Sequence, residues 1–281
     1  MNVLIVGAKG YIGESLALYA KNHYPMNTHI VDSFKGWKKV SFEGYDSVIF
    51  AAGIAHRKQT LKNAALYFAV NRDLACAVAK KAKLAKVPQF IYLSSMAVFG
   101  KKEGEISEHT KPNPRNNDYY GKSKFQAERK LQKLENSAFA VAIVRPPMVY
   151  SAYGTYCPGK FAQLTQIAKL SPMVLENHNK RSILYINNLS EFLCTIIRLR
   201  AKGIFHPQNA EHTSTANLIQ LLRRKMGKKT ILLKINGSYF LQMFKMAMVI
   251  IPPLQTAFGS LYYTAEIPSI PYKAIGLEET I

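Results

Sequence analysis

The chain has 281 residues, of which 48% are hydrophobic and 20% are charged. This composition excludes an intrinsically disordered protein, because such chains lack the apolar side chains that a core needs. Basic residues number 38 and acidic residues 17, so the formal net charge at neutral pH is +21. A field of this sign favours phosphates or an acidic membrane surface as partners, although a lysine-rich solvated face is the plainer interpretation. We expect no nucleic-acid partner, because no nucleic-acid recognition motif accompanies the charge.

The three cysteines, Cys76, Cys157 and Cys194, are odd in number and widely spaced. They support neither a disulfide framework nor a zinc site, so we expect no metal, and they fit a reducing compartment. The N-terminus has no signal-peptide pattern, and no uninterrupted apolar run is long enough to span a membrane. The sequence therefore predicts a cytoplasmic protein.

Short apolar runs alternate with helical patterns along the first half of the chain. The predicted strands are 2–6, 29–32, 47–52, 89–94 and 140–144, and the predicted helices are 14–23, 71–86 and 120–134. This alternation is typical of βαβ units and predicts a doubly wound parallel sheet with right-handed crossovers. After residue 146 proline and glycine become frequent, and strand signals remain only at 182–186 and 230–234.

A glycine-rich turn follows the first strand and opens the first helix, with the sequence Gly7-Ala-Lys-Gly10-Tyr11-Ile12-Gly13. Glycines at this spacing allow a tight turn, close approach of the backbone to a pyrophosphate and close packing of the helix on the strand. The helix N-terminus then offers N–H groups and the positive end of its dipole to phosphates. We predict that these residues bind a dinucleotide.

Asp32 ends the second predicted strand, nineteen residues after Gly13. A carboxylate at this distance can bind the ribose hydroxyls of NAD and repels the 2′-phosphate of NADP. Two alternatives stay open: Asp32 caps a turn, or Lys35, Lys38 and Lys39 accommodate NADP instead. NAD is the expected cofactor.

Tyr120 and Lys124 lie four residues apart on a predicted helix, so both can point into one site. A phenol with a pKa of about 10 is a poor base at neutral pH, and a nearby cation can lower that value by roughly 1–3 units. Lys124 is the candidate cation and can also hold the cofactor ribose. The neighbouring Tyr119 is paired with Ser123 at the same spacing, so Tyr120 is the predicted base. A packed tyrosine beside a solvated lysine is the alternative.

Ser94 and Ser95 follow the strand predicted at 89–94. Ligands of doubly wound sheets bind beyond the carboxyl ends of the strands. A serine hydroxyl there can donate to a substrate oxygen while the phenol moves its proton, or it can cap a turn.

Together these features resemble the extended short-chain dehydrogenase/reductase family, the nucleotide-sugar epimerases and dehydratases. The motifs occur in family order: Gly7-x-x-Gly10-x-x-Gly13; Ala51-Ala52-Gly53; Leu93-Ser94-Ser95-x-x-Val98-Phe99-Gly100; Tyr120-Gly-Lys-Ser-Lys124 with Glu128; Arg145-Pro146-x-x-Val149-Tyr150; and Arg181-x-x-x-Tyr185-Ile-Asn-Asn. The resemblance rests on all six motifs occurring in the order and spacing of the family.

The resemblance implies a Rossmann-type fold with the catalytic residues Ser95, Tyr120 and Lys124. It also implies cofactor contacts from Ala51, Ala52, Gly53 and Pro147, a phosphate-binding Arg181, and a substrate contact at Met148. The implied dinucleotide-binding domain covers 1–145, with 182–202 returning to it. A smaller substrate-binding part would cover 146–181 and 203–281. The family commonly forms dimers through two helices per subunit, so we expect a homodimer.

Several departures from the family pattern narrow the predicted reaction. Met96 and Ala97 stand where dehydratases carry an Asp-Glu pair, so dehydration is not expected. Met148 replaces an asparagine that touches the nucleotide diphosphate in many epimerases, and Asn187-Asn188 replaces the usual Asp-Asp. The chain is also short for an epimerase, which predicts a reduced substrate lobe.

The leading hypothesis is an NAD-dependent 4-epimerase of a nucleotide sugar, of the UDP-glucose or UDP-N-acetylhexosamine type, in surface polysaccharide synthesis. The alternative is a 4-keto-sugar reductase that uses NADH or NADPH with the same residues. A third hypothesis is a cofactor-binding regulator without catalysis.

A strongly apolar stretch at 239–251 ends before Pro252-Pro253. At about half the length of a membrane span, it is more typical of a core or dimer interface. An anchor in the membrane interface is the other interpretation, favoured by the net charge. The protein would then lie at the inner face of the membrane.

Overall fold

The computed structural model describes residues 1–8, 10–55, 59–113, 118–234, 259–265 and 270–281. A parallel six-stranded sheet lies at its centre. The strands are β1 (Asn2–Val6), β2 (Asn27–Val31), β3 (Ser47–Phe50), β4 (Gln89–Leu93), β6 (Ala140–Val144) and β10 (Gly203–Phe205). Their order is β10-β6-β4-β3-β1-β2. The chain adds β2 on one side of β1 and then crosses to add β3 and the later strands on the other side.

Helices connect the strands and cover both faces of the sheet. They are α1 (Tyr11–His23), α2 (Gly36–Lys39), α3 (Leu61–Phe68), α4 (Ala75–Leu84), α5 (Tyr119–Gln132), α6 (Lys160–Leu170), α7 (Ile186–Arg198), α8 (Thr215–Lys225) and α9 (Leu277–Thr280). A π-helical turn, Ala69–Leu74, joins α3 to α4, and a 3₁₀ turn, Met96–Phe99, follows β4.

Three pairs of short parallel strands lie outside the central sheet. The first pair is β7 (Met148–Tyr150) with β9 (Ile183–Tyr185), and the second is β8 (Met173–Leu175) with β11 (Ile231–Leu233). The third is β5 (Gly104–Ile106) with β12 (Leu261–Tyr263).

The central strands are apolar on both faces because each face is covered by helices. Val3 and Ile5 pack toward α1 and α7, whereas Leu4 and Val6 pack toward α4 and α5. A third cluster of buried side chains, centred on Leu218, lies between α6, α8 and α9. The rigid central sheet thus fixes the positions of the loops that follow its strands.

The predicted α/β fold with a doubly wound parallel sheet is confirmed. Strands β1 and β6 have the predicted bounds, and the other predicted strands differ by up to two residues at an end. The helix predicted at 71–86 is a longer continuous segment that begins at Leu61 and contains the π-helical turn. Strand β10, just after the predicted returning segment 182–202, pairs with β6 of the central sheet. The division into two domains stays a prediction.

Within the described ranges, no helix combines the length and the apolar character needed to cross a membrane. The apolar stretch predicted at 239–251 as a core, interface or anchor segment lies outside the described residues.

Candidate active site

The glycine-rich turn is built so closely that side chains would not fit. Gly7 has a φ of +143°, and a Cβ added there would lie 2.8 Å from the backbone nitrogen of Ala52. A Cβ at Gly10 would lie 2.8 Å from the Gly7 oxygen, and one at Gly13 would lie 3.2 Å from Ile5 Cγ2. These contacts supply the tight turn and the close helix packing that a dinucleotide pyrophosphate requires.

The first turn of α1 faces the same place. The helix begins at Tyr11 and its N-cap is Gly10, which has no side chain to bind the first N–H groups. Phosphate oxygens can therefore take the capping role. Ile12 packs on the core beneath the turn, and Tyr11 lies between that core and the third cluster. The turn fits the phosphates of NAD by shape and by hydrogen-bonding capacity.

Asp32 follows β2 directly and is exposed. Its Oδ2 accepts hydrogen bonds from the backbone N–H groups of Phe34 (2.9 Å) and Lys35 (2.8 Å), and more weakly from Gly36 (3.4 Å). Asp32 therefore forms the turn cap that the sequence left open as an alternative. This role does not oppose the ribose role, because a carboxylate has two oxygens and several acceptor sites. Ribose binding by Asp32 stays a prediction.

The catalytic candidates lie on the first turns of α5, which is fixed at its start by two polar side chains. Asp118 Oδ1 accepts a hydrogen bond from Gly121 N at 2.8 Å and caps the helix. Gln59 donates to Asp118 Oδ2 at 2.6 Å and accepts from Tyr120 N at 3.3 Å. The helix places Tyr120 and Lys124 on one face, with the Lys124 Nζ 6.0 Å from the centre of the Tyr120 ring.

Lys124 is enclosed to an unusual degree for a lysine, with 4% of its surface exposed. Its Nζ donates to the carbonyl oxygen of Leu93 at 2.7 Å and lies 4.7 Å from the centre of the Tyr92 ring. Burial lowers the pKa of Lys124 to about 7, against the opposing effect of the Glu128 charge. A lysine at that value can exchange a proton near neutral pH.

Tyr120 is half-buried beside Ser95. Burial raises the pKa of Tyr120, although its hydrogen bond with Ser95 acts in the lowering direction. The sequence predicts that the Lys124 cation lowers the pKa of Tyr120. In the structure the pKa of Tyr120 is raised instead, because the effect of burial exceeds that of the Ser95 hydrogen bond. The phenol is thus held mainly in its protonated form.

Ser94 and Ser95 have separate roles. Ser94 donates to Glu128, whereas the Ser95 Oγ accepts from Ala97 N at 3.1 Å and lies toward Tyr120. Glu128 in turn receives two hydrogen bonds from Arg145, at 3.0 and 2.7 Å, in a buried ion pair. This pair holds α5 against the ends of β4 and β6. Ser95 is the serine that faces the candidate site.

Asn71 is a site residue that the sequence analysis missed. It lies in the π-helical turn, and its side chain bonds both backbone groups of Ile54, at 2.8 and 3.1 Å, and the Ser123 Oγ at 3.0 Å. Its backbone oxygen accepts from Tyr92 at 2.7 Å. The surrounding alanine-rich pattern indicated only a helix, but a π-helical turn often marks a functional site.

Gly53 lies where these groups converge. A Cβ added there would be 3.2 Å from Asn71 Oδ1 and 3.3 Å from Lys124 Nζ. Ala51 and Ala52 donate their backbone N–H groups to Val6 O at 3.0 and 3.1 Å, which joins this loop to the glycine-rich turn. The loop 51–53 therefore lies between the phosphate turn and the Tyr120–Lys124 pair.

Two further cations, Arg181 and Lys160, lie near the start of α5. The Arg181 Nη1 donates to Gly259 O at 2.8 Å, and burial lowers the pKa of Arg181. Lys160, at the start of α6, is close enough that burial and the Arg181 charge lower its pKa, while Asp118 raises it. Lys160 was not predicted, because only the fold brings it near Arg181. Two cations at one place are suited to a diphosphate.

Pro147 and Met148 lie where the chain leaves β6. Pro147 is buried, and the preceding Pro146 accepts a hydrogen bond from Met96 N at 2.9 Å, which fixes this loop beside the strand serines. Met148 begins β7 and packs against the third cluster. Their predicted contacts with nicotinamide and substrate stay predictions.

Residues 3–206 match the model of the NAD dependent epimerase/dehydratase family. The chain belongs to this family. It is therefore an NAD-dependent enzyme of the epimerase/dehydratase type, and the resemblance predicted from its motifs is confirmed. A UDP-glucose 4-epimerase of Vibrio cholerae is 28% identical over 82% of this chain and 77% of its own length.

A second family member at 28% identity is the N-acetyl-α-D-glucosaminyl-diphospho-ditrans,octacis-undecaprenol 4-epimerase of Escherichia coli O157:H7. The match covers 81% of this chain and 73% of that protein. Among solved structures, the UDP-glucuronic acid 4-epimerase of Bacillus cereus in complex with NAD has a TM-score of 0.73 at 17% identity, over 100% and 96% of the two chains. A dTDP-4-dehydrorhamnose reductase of Bacillus anthracis in complex with NADP has a TM-score of 0.64 at 21% identity, over 85% of each chain.

Proposed function

We propose that this family member is a 4-epimerase of a diphosphate-linked hexose or N-acetylhexosamine, with NAD as a cofactor that is regenerated in each turnover. The observation that carries the proposal is the convergence of Ser95, Tyr120 and Lys124 beside the loop 51–53 and the glycine-rich turn. The two relatives at 28% identity, both 4-epimerases by name, support it.

The proposed chemistry assigns one task to each residue. Bound NAD supplies the group that accepts hydride from the sugar and gives it back. The Tyr120 phenol first gives its own proton to the neutral form of Lys124. The resulting phenolate takes the proton from the sugar hydroxyl and later returns it, and Ser95 holds the same sugar oxygen through a hydrogen bond. Lys124 stabilises the phenolate while Tyr120 is deprotonated and holds the cofactor ribose. The low pKa of Lys124 suits it to share the proton that Tyr120 moves.

The proposed phosphate contacts are Arg181 and Lys160, which lie near each other and near Asp118 at the start of α5. A diphosphate carries two negative charges and would relieve the repulsion between these two cations. The sugar would then extend from the phosphates toward Tyr120. We therefore favour a substrate activated by diphosphate over a free sugar.

The setting that fits this substrate is the synthesis of a surface polysaccharide at the cytoplasmic side of the cell membrane. One relative is named for a sugar carried by undecaprenyl diphosphate.

We also propose a homodimer, since α3 and α5 lie side by side and α3 exposes Leu61 and Leu66. Light scattering of the purified protein measures the subunit number directly.

The test of the proposed function begins with the nucleotide released from the purified protein by denaturation. Near-stoichiometric NAD is expected. UDP-N-acetylglucosamine and UDP-glucose that carry deuterium at C4 are then supplied without added cofactor. The 4-epimer should form with the deuterium retained, because the hydride leaves and returns within one site. Loss of the label to solvent, or no epimer from either sugar nucleotide or from its undecaprenyl-diphosphate counterpart, would contradict the proposal.

The 4-keto-sugar reductase is the alternative, because the same residues serve a reduction in one direction. It predicts a protein purified without bound nucleotide, and net oxidation of NADH or NADPH when a nucleotide-linked 4-keto sugar is added. The content of bound nucleotide and the net oxidation of NADH or NADPH therefore distinguish the reductase from the epimerase in the unmodified protein.

A further inference from the structure

The end of α6 and the paired strands β8 and β11 carry apolar side chains that nothing in the described ranges covers. Leu170 at the end of α6 is 81% exposed, and Ile231 and Met173 on the paired strands β11 and β8 are 56% and 52% exposed. The neighbouring exposed apolar residues are Ile167, Leu232 and Leu233. Monomeric soluble proteins rarely expose large contiguous apolar patches, and such patches usually mark an interaction surface.

Five of these residues lie together. Ile231 and Leu233 share the face of β11 that is on the side of Met173, whereas Leu232 alternates to the face of buried Val174. Ile167 and Leu170 are three residues apart and share a face of α6. The chain passes from Leu170 directly into β8, and Ile231 N donates to Pro172 O at 2.9 Å, so β11 begins beside the end of α6. We call Ile167, Leu170, Met173, Ile231 and Leu233 the α6–β11 patch.

Buried Arg223 makes the patch rigid. Its guanidinium donates to the carbonyl oxygens of Ala168 at 2.7 Å and Ser171 at 2.8 Å, and also to Lys229 O. The C-terminal ends of α6 and α8 are thereby held together. A patch on a fixed frame can dock without first becoming ordered.

Exposed cations surround the same helix ends. They are Lys169, Arg224, Lys225, Lys228, Lys229 and Lys234. The nearby carboxylates are Glu278, 3.7 Å from Arg224, and Glu176, 4.0 Å from Lys234. Four lysines of this rim therefore form no ion pair with a carboxylate of the described chain. The rim complements a negatively charged partner.

We propose that the α6–β11 patch docks this enzyme on an anionic lipid bilayer. Apolar side chains would enter the interface between headgroups and acyl chains while the lysine rim contacts anionic headgroups. A lipid surface fits better than a second copy of the chain, because two patches with this rim would repel each other. The proposal does not depend on which sugar the enzyme converts.

The test is co-sedimentation of the full chain with vesicles of phosphatidylcholine and phosphatidylglycerol in equal parts, at low salt. Binding should fall by about tenfold or more in Lys225→Glu/Lys229→Glu, and also in Leu170→Ser/Ile231→Ser. The matched controls are Lys21→Glu/Lys133→Glu and Leu84→Ser/Leu199→Ser, which change equally exposed residues elsewhere and should bind like the parent protein. Vesicles of phosphatidylcholine alone should bind weakly.

Turnover of a water-soluble nucleotide sugar should be unchanged in all four variants, which shows that they are folded. The proposal is overturned if the parent protein does not sediment with the vesicles, or if the patch variants bind as well as their controls. It is also overturned if the patch variants change the subunit number in solution, because the patch would then be a contact between copies of the chain.

Discussion

At the scale of single residues, the chemistry depends on which of two adjacent tyrosines faces the lysine. Tyr120 lies beside Ser95 and within 6.0 Å of Lys124 by its ring centre. Tyr119 begins the same helix one residue earlier, so its side chain points about 100° away around the helix axis. The two positions therefore offer a matched pair of substitutions.

We predict that Tyr120→Phe lowers kcat by about a hundredfold to ten-thousandfold, because the acid–base group is lost. Bound NAD should be retained, since the phenyl ring keeps its packing. Tyr119→Phe is the control and should retain nearly full activity. Steady-state kinetics of the three proteins check the prediction, and comparable losses in both variants would contradict it.

The buried ammonium of Lys124 makes folding stability depend on pH. Its pKa is about 7 in the folded protein, whereas an unfolded lysine titrates near ~10.4. Between these values the unfolded chain binds more protons than the folded one, so stability rises with pH. Below about pH 7 both states are protonated, and the cost of the buried charge is fully present.

We predict that this residue raises the free energy of unfolding by about 2 kcal/mol from about pH 7 to pH 9. Lys124→Met should remove that slope, and Lys122→Met on the same helix should keep it. Urea unfolding at several pH values measures the difference between the proteins. Parallel curves for Lys124→Met and the parent chain would show that the ammonium is not buried as described.

At the scale of elements, α5 is held to the sheet through one buried ion pair. Glu128 is 1% exposed and receives hydrogen bonds from Arg145 on the β6 side and from Ser94 after β4. The pair determines where α5 lies, and thus where Tyr120 and Lys124 point. Removing one charge would leave the other buried without compensation.

We predict that Glu128→Gln lowers the free energy of unfolding by about 3–5 kcal/mol. The exposed Glu43→Gln should change it by less than about 0.5 kcal/mol. Chemical denaturation of both variants provides the measurement. A Glu128→Gln protein as stable as the Glu43→Gln protein would mean that packing alone positions α5.

The elements of the first half of the chain could be predicted from the sequence because they leave strong local signals. Buried parallel strands such as β1 and β6 read as short apolar runs, and the glycine-rich turn has fixed spacing. The later strands β7, β8, β10 and β12 have three residues each, which is too short for any periodicity to appear. Lys160 and Arg181 approach each other only through the fold, so no local pattern pairs them. Asn71 was hidden for a related reason, because its function depends on a π-helical turn inside an alanine-rich segment.

At the scale of the whole molecule, one asparagine joins three distant parts of the chain. Asn188 on α7 donates to Asn209 Oδ1 at 3.0 Å and to Ile275 O at 2.9 Å, and it accepts from Ile275 N at 2.9 Å. This side chain connects the helix layer of the central sheet with the last described segment. It stands where the family usually has an aspartate, which could not donate the first two bonds.

We predict that Asn188→Ala lowers the free energy of unfolding by about 2–4 kcal/mol, through the loss of three hydrogen bonds made by a buried side chain. Asn187→Ala is the neighbouring control, since Asn187 forms one long bond of 3.4 Å with Tyr185. Urea denaturation should give a lower midpoint with an unchanged slope if the chain unfolds as one unit. A second transition in the variant would instead divide the chain into the two predicted parts.

The backbone contact between Gly7 and Ala52 has a consequence for how the cofactor binds. Gly7 bonds Val31, and Ala51 and Ala52 bond Val6, so the two loops that would flank the dinucleotide are parts of one rigid unit made by protein groups alone. NAD binding would then remove little conformational entropy from these two loops, so less of the contact free energy is spent on ordering them and the affinity is higher. For an enzyme that would hold one NAD through many turnovers, this stiffness favours a long residence time of the cofactor.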